Sequence, residues 1–234
     1  MAVYAGTIYD EDNCIPRDLA AQFGLKQLDA NWLADEDGIS EIKVNSNGTR
    51  QSYIPYTDKP IKWHTDGYYN TPERKIRSML LHCVRSAKEG GENHLMDHEI
   101  AYLLLRDENP DFVQALMQPD AMTIPERVDG QDGVRSVQTG PVFSINADGS
   151  LHMRYTARTR SIEWKQDEIT RSAVAALEKL LVSANEHIYQ VRLKPGMGLL
   201  CNNVLHDRTA FSDDPQHPRL LYRARYYEHI DTSR

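Results

Sequence analysis

Apolar and polar positions along this chain alternate in short runs more often than they recur at helical spacing. Val3 to Tyr9 and Ile39 to Val44 read as strands. After the Asn47-Gly48 turn, Ser52 to Ile54 is expected to resume extended structure. Ile76 to Arg85 (IRSMLLHCVR) is apolar enough for a buried strand. Asp148-Gly149 sits between PVFSINA and SLHMRY, a hairpin signal. Ile188 to Leu193 and Leu199 to Cys201 flank Lys194-Pro195-Gly196 and predict a second hairpin. Arg219 to Tyr227 is the last strand.

Helical signals are fewer. Pro16 suits the first turn of a short helix that runs to Phe23 and stops at Gly24. Asp97 is placed to cap a helix from His98 to Arg106, because its carboxylate accepts from exposed backbone N–H groups. Asn109-Pro110-Asp111 starts another short helix. Glu168 to Glu186 carries apolar residues at 169, 173, 176, 177, 180, 181 and 184, a single helical stripe. Many short strands with a few helices predict a mainly β fold with flanking helices, an antiparallel sandwich or barrel of the jelly-roll kind. With no repeat and no linker tract, residues 1–234 are read as a single domain.

Composition narrows the function. Lys plus Arg number 27 against 34 Asp plus Glu, a net charge of −7. That balance opposes phosphate neutralisation, so no nucleic-acid partner is expected. No apolar run reaches the length of a membrane span, and residues 1–6 carry neither a basic segment nor an apolar stretch. Cys14, Cys83 and Cys201 are odd in number and form no CxxC pair. A reducing, cytoplasmic location is the expectation.

Three groups of residues carry candidate chemistry. In Trp63-His64-Thr65-Asp66-Gly67, an extended backbone would point His64 and Asp66 to the same side. The spacing alone is weak, since His229-Ile230-Asp231 repeats it near the C-terminus. His206 lies just after the Leu199 to Cys201 strand, within Asn202-Asn203-Val204-Leu205-His206-Asp207-Arg208. Two histidines and one carboxylate make the facial triad of non-haem Fe(II), which leaves open coordination positions. The last strand, RLLYRARYY, puts Arg219, Arg223 and Arg225 on one face with Leu221. If that face looks inward, the guanidinium groups need anions, and a small dicarboxylate suits them. If it looks outward, it is a solvated charged surface.

At these residues the chain resembles the Fe(II)/2-oxoglutarate-dependent dioxygenases of the TauD/TfdA-like superfamily. The likeness is strongest to the γ-butyrobetaine and trimethyllysine hydroxylase branch. It runs in order through WHTDGYYNTPERKIRSMLLHCVRSAKEGGENHLMD, GPVFSIN with LHMRYTARTR, VRLKPGMGLLCNNVLHDRTAF and RLLYRARYY. The resemblance implies a double-stranded β-helix core of the jelly-roll, clavaminate synthase-like type. It implies Fe(2+) held by His64, Asp66 and His206, with 2-oxoglutarate and O2 as cosubstrates. Arg219 and Arg223 match the two C-terminal arginines of the family. The second usually grips the distal carboxylate of 2-oxoglutarate; the first lies by the 1-carboxylate or itself holds the distal one. Asn93 falls where a polar residue helps to hold 2-oxoglutarate, and Asn202 and Asn203 precede the distal iron ligand. No catalytic side chain beyond the metal site is implied. The expected reaction couples decarboxylation of 2-oxoglutarate, to succinate and CO2, with hydroxylation or oxidative cleavage at an unactivated C–H of a small polar metabolite. Asp66 favours hydroxylation over halogenation, because the halogenases of this fold lack that carboxylate.

The chain also departs from the family. It is short at the N-terminus, which would leave a sheet edge uncovered, and an uncovered edge predicts a homodimer. The Arg-x-Asn-Asn of trimethylammonium-binding members is replaced by Arg154-Tyr155-Thr156-Ala157. Tyr53, Tyr56, Tyr68 and Tyr69 are candidates for cation–π contacts. Arg154, Arg158 and Arg160 are candidates for a substrate carboxylate or sulfonate. Two other classes stay open: a non-catalytic jelly-roll protein that binds a metal and a carboxylate as sensor or subunit, and a zinc hydrolase on the same ligands. The turn-rich stretch around Asp129 to Gly133 is a candidate lid.

Overall fold

The structure, a computed structural model, describes residues 1–6, 14–30, 38–128, 134–158 and 162–230. Two antiparallel sheets form its centre. The larger has five strands in the order Ala2–Ala5, Met197–Cys201, Ser78–Arg85, Leu220–Tyr226 and Ser40–Ile42. The smaller has four, in the order Tyr189–Val191, Asn93–Met96, Leu205–Arg208 and Ile61–His64.

Alternation along the strands explains how the layers form. In Ser78–Arg85, Met79, Leu81 and Cys83 join a buried cluster that also takes in Leu95 of the smaller sheet and Leu221 of the last strand. That cluster is the core between the sheets. Leu80 faces the other way and packs with Leu220, Tyr222, Ala224, Tyr226 and residues around helix α1, Cys14–Gln22. A third cluster joins Trp63, Met96 and Leu205 to three further helices. These are α2 (His98–Glu108), α3 (Pro110–Leu116) and α4 (Glu168–Val182). The last strand therefore turns Leu220, Tyr222, Ala224 and Tyr226 outward beneath α1. Its odd-numbered positions, with Leu221 in the inter-sheet core, carry Arg219, Arg223 and Arg225 inward.

The caps predicted at Asp97 and Asn109 are present, their side chains accepting from Glu99 N and Asp111 N. A further cap, not anticipated, is Asp167, which accepts from Thr170 N at the start of α4. The hairpin at Asp148-Gly149 forms between Phe143–Ile145 and Leu151–Met153. Four expectations need correction. The stretch Ser52 to Ile54 is not a strand: Thr49–Ser52 and Ile54–Tyr56 are 3-10 turns, with Tyr53 extended between them. Pro55 favours the turn, and Tyr56 anchors it in the inter-sheet core. Helix α4 ends at Val182, where the Asn185 amide donates to the Leu180 and Ser183 carbonyls and stops the last turn. The first strand spans Ala2–Ala5, and residues 7–9 of the expected strand lie outside the described residues.

The fourth correction is topological. The strands on either side of Lys194-Pro195-Gly196 do not pair with each other. Tyr189–Val191 pairs with Asn93–Met96, whereas Met197–Cys201 pairs with Ser78–Arg85 and Ala2–Ala5. The turn is a crossover from one sheet to the other. Local turn chemistry looks the same in both cases; only burial on both sides of Met197–Cys201 decides it. Among the described residues, no helix is long and apolar enough to cross a membrane.

Leu177 is fully buried where α4 meets the other helices and the smaller sheet. Leu177→Ala is expected to cost about 2–5 kcal/mol of stability, the range for truncating a buried leucine. Urea unfolding of the two proteins checks it.

Candidate active site

The site is built first by register. Leu205–Arg208 pairs antiparallel with Ile61–His64 so that His206 stands directly opposite His64, with ring centroids 4.2 Å apart. The register shifts between His206 and Arg208, a bulge of the kind that re-aims side chains beside active sites. Asp66 follows in the turn beyond His64, with its Oδ1 3.9 Å from His64 Nε2. One ligand atom from each of His64, Asp66 and His206 lies within 4.8 Å of the others, and all three residues are buried. Gly67 makes the turn possible. Its φ is +69°, and a Cβ there would sit 2.5 Å from Ile76 Cγ1.

Hydrogen bonds orient the donors. His64 Nδ1 lies 2.9 Å from the Lys62 carbonyl, and His206 Nδ1 lies 2.9 Å from the Val204 carbonyl. A carbonyl can only accept, so in each ring Nδ1 carries the proton and Nε2 offers its lone pair. Burial, aided by the neighbouring His206, pushes the His64 pKa down to about 3, so the ring is neutral at pH 7. Burial alone would raise Asp66, but the guanidinium groups of Arg223 and Arg225 outweigh it and hold the carboxyl well below the usual range. Asp66 Oδ1 accepts from Arg223 Nη1 at 3.2 Å, while Oδ2 is buried without a partner. Two imidazoles with Nε2 left as the ligand atom and one carboxylate with an orphaned oxygen fit a divalent first-row metal, and the set matches the two-His, one-carboxylate triad.

A cavity opens beside these ligands. Its walls include His64, His206, Asn93, Arg208, Arg219, Leu221 and Arg223. Asn93 and Arg219 also border a smaller recess toward Gly91 and Arg192. The three inward arginines are neutralised differently. Arg225 is paired with buried Asp29 at 2.7 Å and donates to the Tyr69 hydroxyl at 3.2 Å. Asp29 also accepts from Arg74 and from the Tyr227 hydroxyl. Arg223 pairs with Asp66 and keeps a buried, unpartnered Nε. Arg219 is 5% exposed, has a buried Nη1 without a partner, and makes no ion pair among the described residues. Its guanidinium lies 4.9 Å from the Phe211 ring centroid, with Arg208 at 4.8 Å from the same ring. Burial disfavours the charge on both arginines, Arg219 further opposes that of Arg208, and Asp213, which accepts from the Arg219 backbone N–H at 3.0 Å, favours both charges. The unpartnered Nη1 of Arg219 leaves a place for a further acceptor.

The other expected residues are scattered. Arg154 donates from Nε to the Tyr68 carbonyl and from its Nη atoms to those of Met122 and Gln138, so it braces three backbone segments. Tyr68 is buried in the helix-side core and meets the Tyr69 ring edge-on at 5.1 Å. Arg158 is half-buried; Arg160 and residues 129–133 lie outside the described residues. Asp29 was not anticipated, and nothing in its sequence surroundings marks it. The roles of Asn203 and Arg208 had only a weak signal, their closeness to His206.

The family described as "Taurine catabolism dioxygenase TauD, TfdA family" matches residues 17–225. The chain belongs to the TauD/TfdA family. A uridine-5'-phosphate dioxygenase from Amycolatopsis sp is 33% identical over 171 residues, 71% of this chain and 60% of the relative. The chain thus spans less than two thirds of that relative's length. A uridine-5'-phosphate dioxygenase from Streptomyces sp is 30% identical over 218 residues, 89% of this chain and 78% of the relative. Among solved structures, asparagine oxygenase in complex with Fe(II), 2S,3S-3-hydroxyasparagine and succinate superposes with a TM-score of 0.65 at 16% identity, covering 94% of this chain and 67% of its own. The non-heme iron oxygenase OrfP with Fe and α-ketoglutaric acid gives 0.64 at 16% identity, covering 97% and 70%. These likenesses support the jelly-roll core.

Two outcomes follow from the buried charges. His64 is held neutral by burial, with a folded pKa of about 3 against 6.5 unfolded. Its contribution is therefore complete above pH 6.5 and is lost as the pH falls toward 3, by up to about 1.4 kcal/mol per unit. Urea unfolding of chelator-treated protein between pH 7 and 4.5 should show this slope, and His64→Gln should reduce it, leaving the part due to His152, whose pKa burial also pushes down to about 3. Asp29→Ala strips the partner from a buried guanidinium and should cost about 3–5 kcal/mol by the same assay at pH 7.

Proposed function

We propose that the protein is an Fe(II)- and 2-oxoglutarate-dependent oxygenase that oxidises a C–H bond of a small polar metabolite. The observation that carries this reading is a cavity lined by His64 and His206, two of three converging metal donors, and by Arg219, a buried arginine with an unpartnered Nη1. In this reading His64, Asp66 and His206 would hold iron, and the iron would supply O2 activation driven by oxidative decarboxylation of 2-oxoglutarate to succinate and CO2.

The chain's own residues do the positioning. His64 and His206 present lone pairs because their Nδ1 protons are committed to carbonyls. Arg223 touches Asp66, so it belongs at the metal end, beside the keto-acid head or the substrate. The distal carboxylate of a chelated five-carbon diacid must lie farther off. Arg219, with Asn93 on the same walls, suits that end better than Arg223. A carboxylate there would take up the free Nη1 and relieve the repulsion with Arg208. This assignment reverses the family's more usual order for the two arginines.

The names of two relatives make uridine 5'-phosphate the first substrate to assay. A trimethylammonium substrate, the choice of the γ-butyrobetaine hydroxylase branch, has less support. Tyr56 and Tyr68 are both taken up by core packing.

Anaerobic addition of 2-oxoglutarate to the Fe(II) protein should produce a visible metal-to-ligand charge-transfer band. His64→Ala, Asp66→Ala and His206→Ala should each abolish it, together with succinate release. Arg219→Ala should weaken 2-oxoglutarate binding by at least about 100-fold, the scale for stripping a buried charge pair. Arg223→Ala should weaken it less. The opposite order would return the distal carboxylate to Arg223. A band-free protein with iron bound would refute the oxygenase reading.

A further inference from the structure

Asn203 is the only non-glycine residue with a positive φ among the described residues, at +50°. It is 2% exposed, in the short connection between Met197–Cys201 of the larger sheet and Leu205–Arg208 of the smaller. Left-handed backbone is costly for most L-residues, and asparagine and glycine bear it best. Buried strain of this kind persists where surrounding contacts over-determine it.

The contacts are specific. Asn203 Oδ1 accepts from the Asp66 backbone N–H at 2.8 Å. Its Nδ2 donates to the Asp66 carbonyl at 2.9 Å and to the Ile76 carbonyl at 2.8 Å. One acceptor and two donors are all used, and a flipped amide would set two carbonyls against its oxygen. The amide thus pairs with both backbone groups of Asp66, as a neighbouring strand would. On the other side, Thr65 N donates to the Tyr155 carbonyl and Tyr155 N to Thr65 Oγ1. Asp66 therefore sits in a backbone clamp, and Asn203 is the part of it that continues into the segment carrying His206.

We propose that Asn203 is a positioning residue for the metal centre. It fixes the carboxylate-bearing turn relative to the second histidine and so sets how well the three donors converge. The inference rests on the oxygenase reading of the same site. It adds that the affinity for Fe(II) depends on a side chain that touches neither metal nor substrate. Outer partners of metal ligands typically carry about 10–100-fold in metal affinity.

The test is anaerobic calorimetric titration of the full chain with Fe(II), followed by the charge-transfer band with 2-oxoglutarate. Asn203→Gly keeps the left-handed backbone and removes the amide. Asn203→Asp keeps an acceptor for the Asp66 N–H but turns an anionic oxygen toward two carbonyls. Leu177→Ala serves as a control that destabilises the helix-side core and leaves the amide contacts of Asn203 in place. We expect Asn203→Gly to lose at least about tenfold in Fe(II) affinity and to weaken or shift the band, Asn203→Asp to lose more, and Leu177→Ala to stay within about twofold of wild type. Wild-type affinity in Asn203→Gly would overturn the proposal. If Asn203→Gly does not fold, Asn203→Asp decides on the same criteria, and loss of fold in both would make the residue purely structural and overturn it too. Failure of wild type to bind Fe(II) would instead sink the oxygenase reading, and this inference with it.

Discussion

Three guanidinium groups on one inward strand face set the terms for the rest of this structure. A buried positive charge is tolerable only beside a negative one. Arg225 has Asp29, Arg223 has Asp66, and Arg219 makes no side-chain ion pair among the described residues, with only the charge of Asp213 nearby to favour its own. The first pair joins the last strand to the segment before Ser40–Ile42 and to Arg74 and Tyr227. The second fixes the ionisation of a metal-ligand candidate. The third leaves a positive end to the cavity. The last strand and the residue before it thus contribute a structural ion pair, an electrostatic neighbour for the metal centre and a candidate anion site, on one inward face that also carries Leu221.

Against that charge, the donor triad depends on backbone geometry. The two histidines meet because their strands pair with those residues in register, and the carboxylate joins them because the chain turns sharply at Gly67. Each imidazole is locked by a carbonyl two residues before it. Identical local arrangements on two different strands give two lone pairs aimed at one point. Function here depends on sheet register as much as on residue type. A slip by one residue in either strand would turn that strand's ring away from the other.

Much of this was legible in the chain itself, and the parts that were not share a cause. His64, Asp66 and His206 could be named because their types and order are distinctive, and the arginine-bearing face because alternation in a strand is reliable. The caps at Asp97 and Asn109 follow from local chemistry alone. The crossover at Lys194-Pro195-Gly196 was misread as a hairpin because a turn does not declare which sheet its second strand will join. Asp29 was invisible because its partner lies far along the chain and nothing nearby announces a buried carboxylate. The sorting of Arg219 from Arg223 needed the Arg223–Asp66 contact, a distance no spacing rule supplies.

The strand order has a consequence for how the protein is made. In the larger sheet, Ser78–Arg85 lies between Met197–Cys201 and Leu220–Tyr226, and Ala2–Ala5 waits for Met197–Cys201 as well. Nearly every partner in that sheet is distant along the chain, a topology that folds slowly because loop closure precedes its rewards. As the chain emerges from the ribosome, Asp29 and Asp66 appear early; Arg74 is at hand for Asp29, but the guanidinium groups that face Asp66, on Arg223 and Arg225, come last. Until that final strand arrives the nascent chain cannot bury Asp66 cheaply, so the candidate metal-ligand carboxylate is among the last groups to be sealed in.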